Sequence, residues 1–215
     1  VMFTNQTLLY VVSFDETDKE VAMDEVSYLT HHDFLTQLHN RRHLDETYRA
    51  NCKTSYPFGL ILGDINGLKL VNDHYGHHVG DMMIKEAAKR IKALLPKVEV
   101  FARIGGDEFA ILIRHCTLHQ LQTLCDDLEK ELEMNVEHQG LSLYLSLSFG
   151  YAIQKDHNAE LSQLLKEAES ILSERKTFDM QSSRSHIVNA MMSTLFQKSE
   201  REQNILYEWQ STVWL

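Results

Sequence analysis

Proline is nearly missing: Pro57 and Pro96 are the only two in 215 residues, and glycine occurs nine times. Low-complexity and disordered segments are built from more of both, and a hydrophobic fraction of 43% is that of a folded globular chain large enough to bury a core. Cysteine is equally scarce. Cys52, Cys116 and Cys125 are odd in number and lack Cys-x-x-Cys spacing, which excludes a disulfide framework and a zinc ribbon and points to a reduced, cytoplasmic setting. Positive charge is also short, with 21 Lys and Arg against 31 Asp and Glu and a formal net charge of −10. Such a surface repels phosphate backbones and anionic lipid, so neither a nucleic-acid partner nor direct membrane contact is expected. A single nucleotide held through metal ions remains compatible with it. No apolar run approaches the roughly 18 residues of a membrane span, and no signal peptide opens the chain. A start at Val1 is expected of a piece taken from something longer.

Three segments carry helical stripes. The first is Met83, Ile84, Ala87, Ala88, Ile91, Leu94 and Leu95, stopped by Pro96. The second is Leu121, Leu124, Cys125, Leu128 and Leu132, opened by a Thr117 and Gln120 capping box, and the third is Leu161, Leu164, Leu165, Ala168 and Leu172 behind an Asn158 cap. Strand candidates lie between them at Phe58 to Gly63, Val98 to Ile104, Phe109 to Ile113 and Leu141 to Ile153. In the last, every odd position is apolar, the period of one antiparallel strand with one buried face. Alternating strands and helices predict an α/β sandwich. Gly105-Gly106 predicts a tight hairpin with positive φ at both residues. Leu8 to Phe14 reads as a strand, Asp15 to Leu29 as a charged helix, and Arg184 to the C-terminus as a further helix with an Ile187, Val188, Met191, Met192, Leu195, Phe196 stripe.

The acids that matter follow the first core strand and the hairpin. Asp64 ends an apolar strand and opens the segment Asp64-Ile65-Asn66-Gly67-Leu68-Lys69-Leu70-Val71-Asn72-Asp73-His74-Tyr75-Gly76-His77-His78-Val79-Gly80-Asp81. Asp107 and Glu108 stand at the hairpin tip in Arg103-Ile104-Gly105-Gly106-Asp107-Glu108-Phe109. If the hairpin pairs beside the first strand, Asp64 and Asp107 meet. Converging carboxylates make an oxygen-ligand site for Mg²⁺, which keeps several waters and binds through substrate phosphates. A pair of such ions activates a hydroxyl and stabilises a departing oxygen in phosphoryl transfer.

Four motifs in order carry a resemblance: Asp33-Phe34-Leu35-Thr36-Gln37-Leu38-His39-Asn40-Arg41-Arg42, the Asp64 to Asp81 segment, Gly105-Gly106-Asp107-Glu108-Phe109, and Ser148-Phe149-Gly150-Tyr151. Over about Leu29 to Lys176 the chain resembles a GGDEF domain, the catalytic domain of diguanylate cyclases. That resemblance implies an α/β fold with a mixed, mainly antiparallel central sheet flanked by helices, like nucleotide cyclases and polymerase palms. It implies condensation of two GTP into cyclic di-GMP with release of two pyrophosphates, in an antiparallel homodimer with two Mg²⁺ or Mn²⁺ per site. Asp64, Asp107 and Glu108 would be the catalytic and metal-binding acids, with the Ile65 carbonyl as a further oxygen and Glu108 as ligand or base. Lys69 would contact phosphate, the backbone of Asn66, Gly67 and Leu68 would follow the triphosphate, and Gly105 and Gly106 would approach substrate. Asn72 and Asp81 would read guanine, since a carboxylate accepts from hydrogens that adenine lacks. Lys176 would be the terminal-phosphate lysine.

Two departures accompany the likeness. The arginine expected four residues after Lys176 is Met180, with Arg184 as a candidate replacement, which leaves a non-cycling GTP-binding regulatory domain as the alternative reading. An Arg-x-x-Asp inhibitory motif would fall on Pro96 and Glu99, so weak or absent feedback by cyclic di-GMP is expected. Asp33, Asn40, Arg41 and Arg42 read as caps and salt bridges at a helix start rather than as catalytic groups. The His39/His43 and His74/His78 pairs lack a third zinc ligand and read as surface histidines. His32-Asp33 lacks the distant partners of a phosphohydrolase, and the Met191/Met192 stripe reads as packing. The expected division is residues 1–28 as the end of an upstream PAS-like sensor and its linker, 29–178 as the catalytic domain, and 179–215 as a helical extension or connector to an output module.

Overall fold

The computed structural model describes residues 28, 30–53, 57–95, 97–138 and 140–177. The strand and helices expected before Tyr28 and after Arg184 lie outside them, as does Pro96.

The central strand explains the layering. β2 (Phe58–Ile65) is buried at every position. Its alternate side chains therefore need cover on both sides. Ile61 and Ile65 point into one core with Phe109 and Ile111 of β4 (Glu108–Arg114), whereas Phe58, Leu60 and Leu62 point into a second with Ala110 and Leu112. With β1 (His39–Asn40), β3 (Val100–Arg103) and β7 (Leu147–Ile153), these strands form a five-stranded sheet of order β1-β3-β4-β2-β7. β1 runs parallel to β3 and every other pairing is antiparallel, so the sheet is mixed and mainly antiparallel as expected.

Helices close both faces. The first core is covered by α2 (Leu68–Tyr75), α3 (His77–Leu94) and α4 (Leu118–Leu132). The stripes Met83, Ile84, Ala87, Ala88, Ile91 and Leu121, Cys125, Leu128, Leu132 are buried there, while Leu94 is left exposed. The Thr117 and Gln120 capping box forms as the spacing predicts. The second core is covered by α1 (Arg41–Asn51) through Leu44 and Tyr48, and by α5 (residues 161–177) through Leu161, Leu164, Ala168 and Leu172. Asn158 is not the cap of α5: the carbonyl that accepts from Gln163 and Leu164 belongs to Glu160.

Two strand expectations need correction. Leu141 to Ile153 is two strands rather than one, broken at Ser146. β6 (Leu141–Leu145) pairs with β5 (Met134–His138), a strand the sequence pattern did not signal, while β7 pairs with β2. Asn66 makes the break. Its backbone N–H donates to the Ser146 carbonyl at 2.9 Å, its Nδ2 donates to the Ser146 hydroxyl at 3.3 Å, and its Oδ1 accepts from Ser148 at 3.0 Å. β7 is also buried on both faces, not one, because Ser148 and Ala152 lie under α5.

α5 crosses β7 with its backbone almost touching residue 150. A methyl group there would lie 2.0 Å from the Ala168 carbonyl oxygen and 2.5 Å from the Leu172 nitrogen, and neither can move without shifting the helix. Gly150→Ala should therefore lower the urea midpoint by the equivalent of about 3 kcal/mol. Gly106→Ala meets nothing within 4 Å and should stay within about 0.5 kcal/mol of the parent.

Candidate functional site

The sheet register assembles the acids. Asp64 stands opposite Glu108 on one side and Ser148 on the other, and the Ile65 N–H donates to the Asp107 carbonyl at 3.3 Å. Asp64, Asp107 and Glu108 thus share one end of the sheet, as the motif order led us to expect. Their burial differs: Asp64 is 7% exposed, Asp107 is half-buried and Glu108 is exposed. The Lys176 ammonium lies 2.6 Å from Asp64 Oδ2, while Oδ1 is buried without a hydrogen-bond partner. Burial pushes the Asp64 carboxyl up from its ordinary 3.8 to about 6; Lys176 opposes the shift, and Asp107 and Glu108 add to it.

Among the described residues no three His, Cys, Asp or Glu side chains converge to hold a metal unaided. The donor set nonetheless fits a hard divalent cation that completes its shell with water and phosphate. Asp64 Oδ1 is an unused anionic oxygen in a buried position, and two further carboxylates lie close enough to disturb its titration.

The loop between β3 and β4 is wider than the expected tight turn. Neither Gly105 nor Gly106 has positive φ, and the Ile104 N–H closes the loop on the Glu108 carbonyl at 2.9 Å. A Cβ at Gly105 would meet Glu108 Oε2 at 2.4 Å, the end of an exposed, flexible side chain that can move aside. Arg103 holds the loop from behind. Its Nε and Nη2 donate to the Gly106 carbonyl at 3.2 and 2.8 Å, and its Nη1 donates to both oxygens of Asp33 at 3.0 and 3.1 Å. Burial alone would raise the Asp33 pKa, but hydrogen bonds from Thr36 and Arg103 hold it below the usual value. Asp33 is therefore structural, as expected, and so is Asn40, whose side chain accepts from the His43 N–H at the start of α1. Arg41 and Arg42 pair with Asp45 and Glu46 one turn on. The role of Arg103 escaped sequence reasoning, although an arginine two residues before Gly105 was its signal.

Beyond Asp64 the chain turns at Gly67, whose φ of 70° suits glycine, and enters α2. Leu68 is buried and Lys69 exposed, so at these two positions the backbone and the ammonium are what the site can offer. Asn66 commits its side chain to Ser146 and Ser148 and its backbone N–H to the Ser146 carbonyl. Asn72 on α2 packs against Gly80 on the first turns of α3, where a Cβ would sit 1.9 Å from Asn72 Oδ1, and the next residue, Asp81, is exposed. The Asn72 oxygen is buried with no hydrogen-bond partner. Met180 and Arg184 lie outside the described residues.

The histidines depart from the surface reading in part. His74, His77 and His78 are exposed. His39 and His43, however, are partly buried and stack with ring centroids 3.7 Å apart, with His32 4.7 Å from His39 and His31 5.7 Å from His43. Burial, aided by repulsion from His43, His32, His31 and Lys92, pulls the His39 pKa down to about 4, so that ring is neutral at physiological pH. The cluster packs the opening motif against α1.

Comparison with known proteins adds the family. The model for "Diguanylate cyclase, GGDEF domain" matches residues 30–181. The bifunctional diguanylate cyclase/cyclic di-GMP phosphodiesterase MucR of Pseudomonas aeruginosa is 32% identical over 155 residues, covering 70% of this chain and 23% of that protein. An uncharacterized membrane protein of Staphylococcus epidermidis is 32% identical over 149 residues, covering 66% of this chain and 42% of its own length. The chain thus spans less than half of either relative. The crystal structure of diguanylate cyclase SiaD with its activator SiaC, also from Pseudomonas aeruginosa, matches with a TM-score of 0.64 at 25% identity, covering 75% of this chain and 65% of that one. No helix among the described residues is long and apolar enough to cross a membrane.

The Asp64 environment has a thermodynamic cost that can be measured. The folded chain binds this proton more tightly than the unfolded chain, so the Asp64 contribution is most favourable below about pH 4 and is lost as pH rises through about 6. A net shift of about two units, with the opposing pull of Lys176 already in it, corresponds to at most about 3 kcal/mol. In the metal-free protein at pH 7, Asp64→Asn should raise stability by about 1–2 kcal/mol in urea titrations. The gain should fade at pH 4.

Proposed function

The chain belongs to the diguanylate cyclase GGDEF domain family, and from that membership we propose that it condenses two GTP into cyclic di-GMP and two pyrophosphates as an antiparallel homodimer. The observation that carries the reading is Asp64, a buried carboxylate with one unpartnered oxygen beside two more acids and a lysine. Asp64, the Ile65 carbonyl, Asp107 and Glu108 would hold two Mg²⁺ or Mn²⁺ ions. Bound there, the ions supply activation of the sugar hydroxyl and stabilisation of charge on the leaving pyrophosphate.

The protein's own groups do the rest. The backbone of Asn66 to Leu68 runs along the triphosphate, Lys69 and Lys176 meet phosphate oxygens, and Gly105 and Gly106 keep the loop close to substrate. Asn72 and Asp81 face the base, where a carboxylate accepts from the guanine N1 and N2 hydrogens. In each half-reaction the 3′ oxygen of one GTP bonds to the α-phosphorus of the other while the bond to the bridging oxygen of pyrophosphate breaks. The hydroxyl proton passes to Glu108 where that exposed carboxylate acts as base rather than as ligand. A domain that holds one GTP needs a second copy, so turnover depends on dimerisation.

Feedback by product is expected to be weak. Pro96 replaces the arginine of the inhibitory motif, and Glu99, in the position of its aspartate, is already paired with Arg114. Residues 1–28 would be the end of an upstream PAS-like sensor and its linker, and 179–215 a helical extension or connector to an output module. GTP as substrate fits a cytoplasmic site.

Incubation of the purified chain with GTP and Mg²⁺, with products resolved by chromatography, tests the reading. Cyclic di-GMP should form, ATP should compete poorly, and Asp107→Asn should lower the rate by about 10²–10³-fold. GTP binding without product would replace the cyclase with the non-cycling regulatory domain that Met180 suggests. Titrating cyclic di-GMP into the same assay should leave the rate within about twofold. Strong non-competitive inhibition would refute the reading of Pro96 and Glu99.

A further inference from the structure

Lys176 reaches Asp64 from the last described turn of α5, and its neighbour is held far more firmly than a surface arginine. Arg175 Nη1 lies 3.0 Å from Asp126 Oδ1 and 3.0 Å from Glu129 Oε2, both on α4, and its guanidinium lies 5.5 Å over the Tyr151 ring of β7. The other Glu129 oxygen accepts from the Phe149 N–H of β7 at 2.8 Å. One carboxylate therefore ties the outer edge of β7 to α5 through Arg175. The Arg175 pKa is raised above its already high value: burial opposes the shift, and Glu129 and Asp126 outweigh it. The Glu129 arm is largely shielded from water, the setting in which an ion pair fixes geometry, while the Asp126 arm, with its side chain 55% exposed, adds a solvated second contact.

Adjacent helical residues point about 100° apart, so fixing Arg175 against α4 and β7 sets where Lys176 points. We propose that Arg175 is a positioning residue for the phosphate-facing lysine: the Asp126–Arg175–Glu129 clamp sets the rotation of the end of α5 so that the Lys176 ammonium meets the acid cluster at Asp64. The assignment of Lys176 to phosphate rests on the cyclase reading above. The placement of Lys176 by the clamp does not.

Two measurements on the full 215-residue chain separate these parts. In brief acetic anhydride labelling read by mass spectrometry, Arg175→Met should raise the labelling of Lys176 several-fold, to the level seen in Asp64→Asn, with exposed Lys69 unchanged. Arg175→Lys should restore most of the protection. In calorimetric titrations with Ca²⁺ in place of Mg²⁺, Arg175→Met should weaken GTP binding roughly tenfold, the equivalent of one charge-assisted contact, and GMP binding by less than twofold. Arg175 as mere glue would lower the melting temperature while GTP and GMP changed together, and that result overturns the proposal. Unchanged Lys176 labelling in a folded Arg175→Met chain overturns it equally. Should Arg175→Met fail to fold, Glu129→Gln carries the same test, since it removes charge from the clamp but keeps an acceptor for the Phe149 N–H. If the wild-type chain binds no GTP, the cyclase reading falls and the labelling result alone decides the clamp.

Discussion

The ion pair between Asp64 and Lys176 joins the end of the central strand to the last described turn of α5, and the rest of the site is arranged around it. Neither charge is there for stability. A carboxylate withdrawn from water loses several kcal/mol of solvation, and a single lysine returns only part of it. The upward shift of Asp64 despite a lysine at 2.6 Å shows burial winning that contest. A sheet optimised only for packing would end in a neutral side chain at this position. What keeps the acid in place is the strand itself, because β2 is paired on both edges and covered on both faces. Asp64 cannot retreat into solvent without unpicking the sheet.

The second fixed point is Arg103, the last residue of β3, which ties the opening motif to the loop that follows. One planar group binds Asp33 of the opening motif with one nitrogen and the Gly106 carbonyl with two others. The hairpin loop that presents Asp107 and Glu108 is thereby attached to the segment through which the chain enters the domain. A net charge of −10 raises the question of how such a chain could hold a triphosphate. At the acid cluster negative charge is gathered on the sheet end, where a divalent cation would gain most from it, and Lys176 stands directly against Asp64. Overall charge decides non-specific partners; the local arrangement decides whether a nucleotide is held.

Most of the frame was legible in the sequence because it rests on periodicity. The three helical stripes became the buried faces of α3, α4 and α5, and an apolar run ending in aspartate became the central strand with its acid at the sheet end. What the pattern missed depends on contacts distant in sequence. Nothing local at Ser146 says that the odd-position alternation must break; the cause is Asn66, donating to it from across the site. The Gly105-Gly106 pair suggested positive φ, whereas the loop between Arg103 and Glu108 is wide enough that neither residue adopts it. His39 and His43 were recognised as a pair, but only the fold brings His31 and His32 against them and buries the group. The candidate acids themselves were found because strand pairing forces residues at matched register to be neighbours. The clamp at Arg175 was not, because its partners lie on α4.

These two kinds of anchor divide the site into parts of different stiffness. Asp64 is built into paired strands and the loop bearing Asp107 and Glu108 is held by Arg103, while Asn72 and Asp81 sit on α2 and the start of α3, joined through Gly76 with φ of 87°. The two-turn α2 is packed through Leu68, Val71 and partly buried Tyr75, and Asn72 Oδ1 still lacks the partner its burial calls for. The acid end is thus preorganised by sheet geometry, and the other end rests on a short helix. Under the proposed reaction that division follows the chemistry. Charge development at phosphorus rewards groups fixed in advance, since any reorganisation there adds directly to the barrier. Recognition of a base tolerates adjustment, because the cost of ordering α2 is met once, on binding, and Asn72 gains its missing hydrogen bond in the same event.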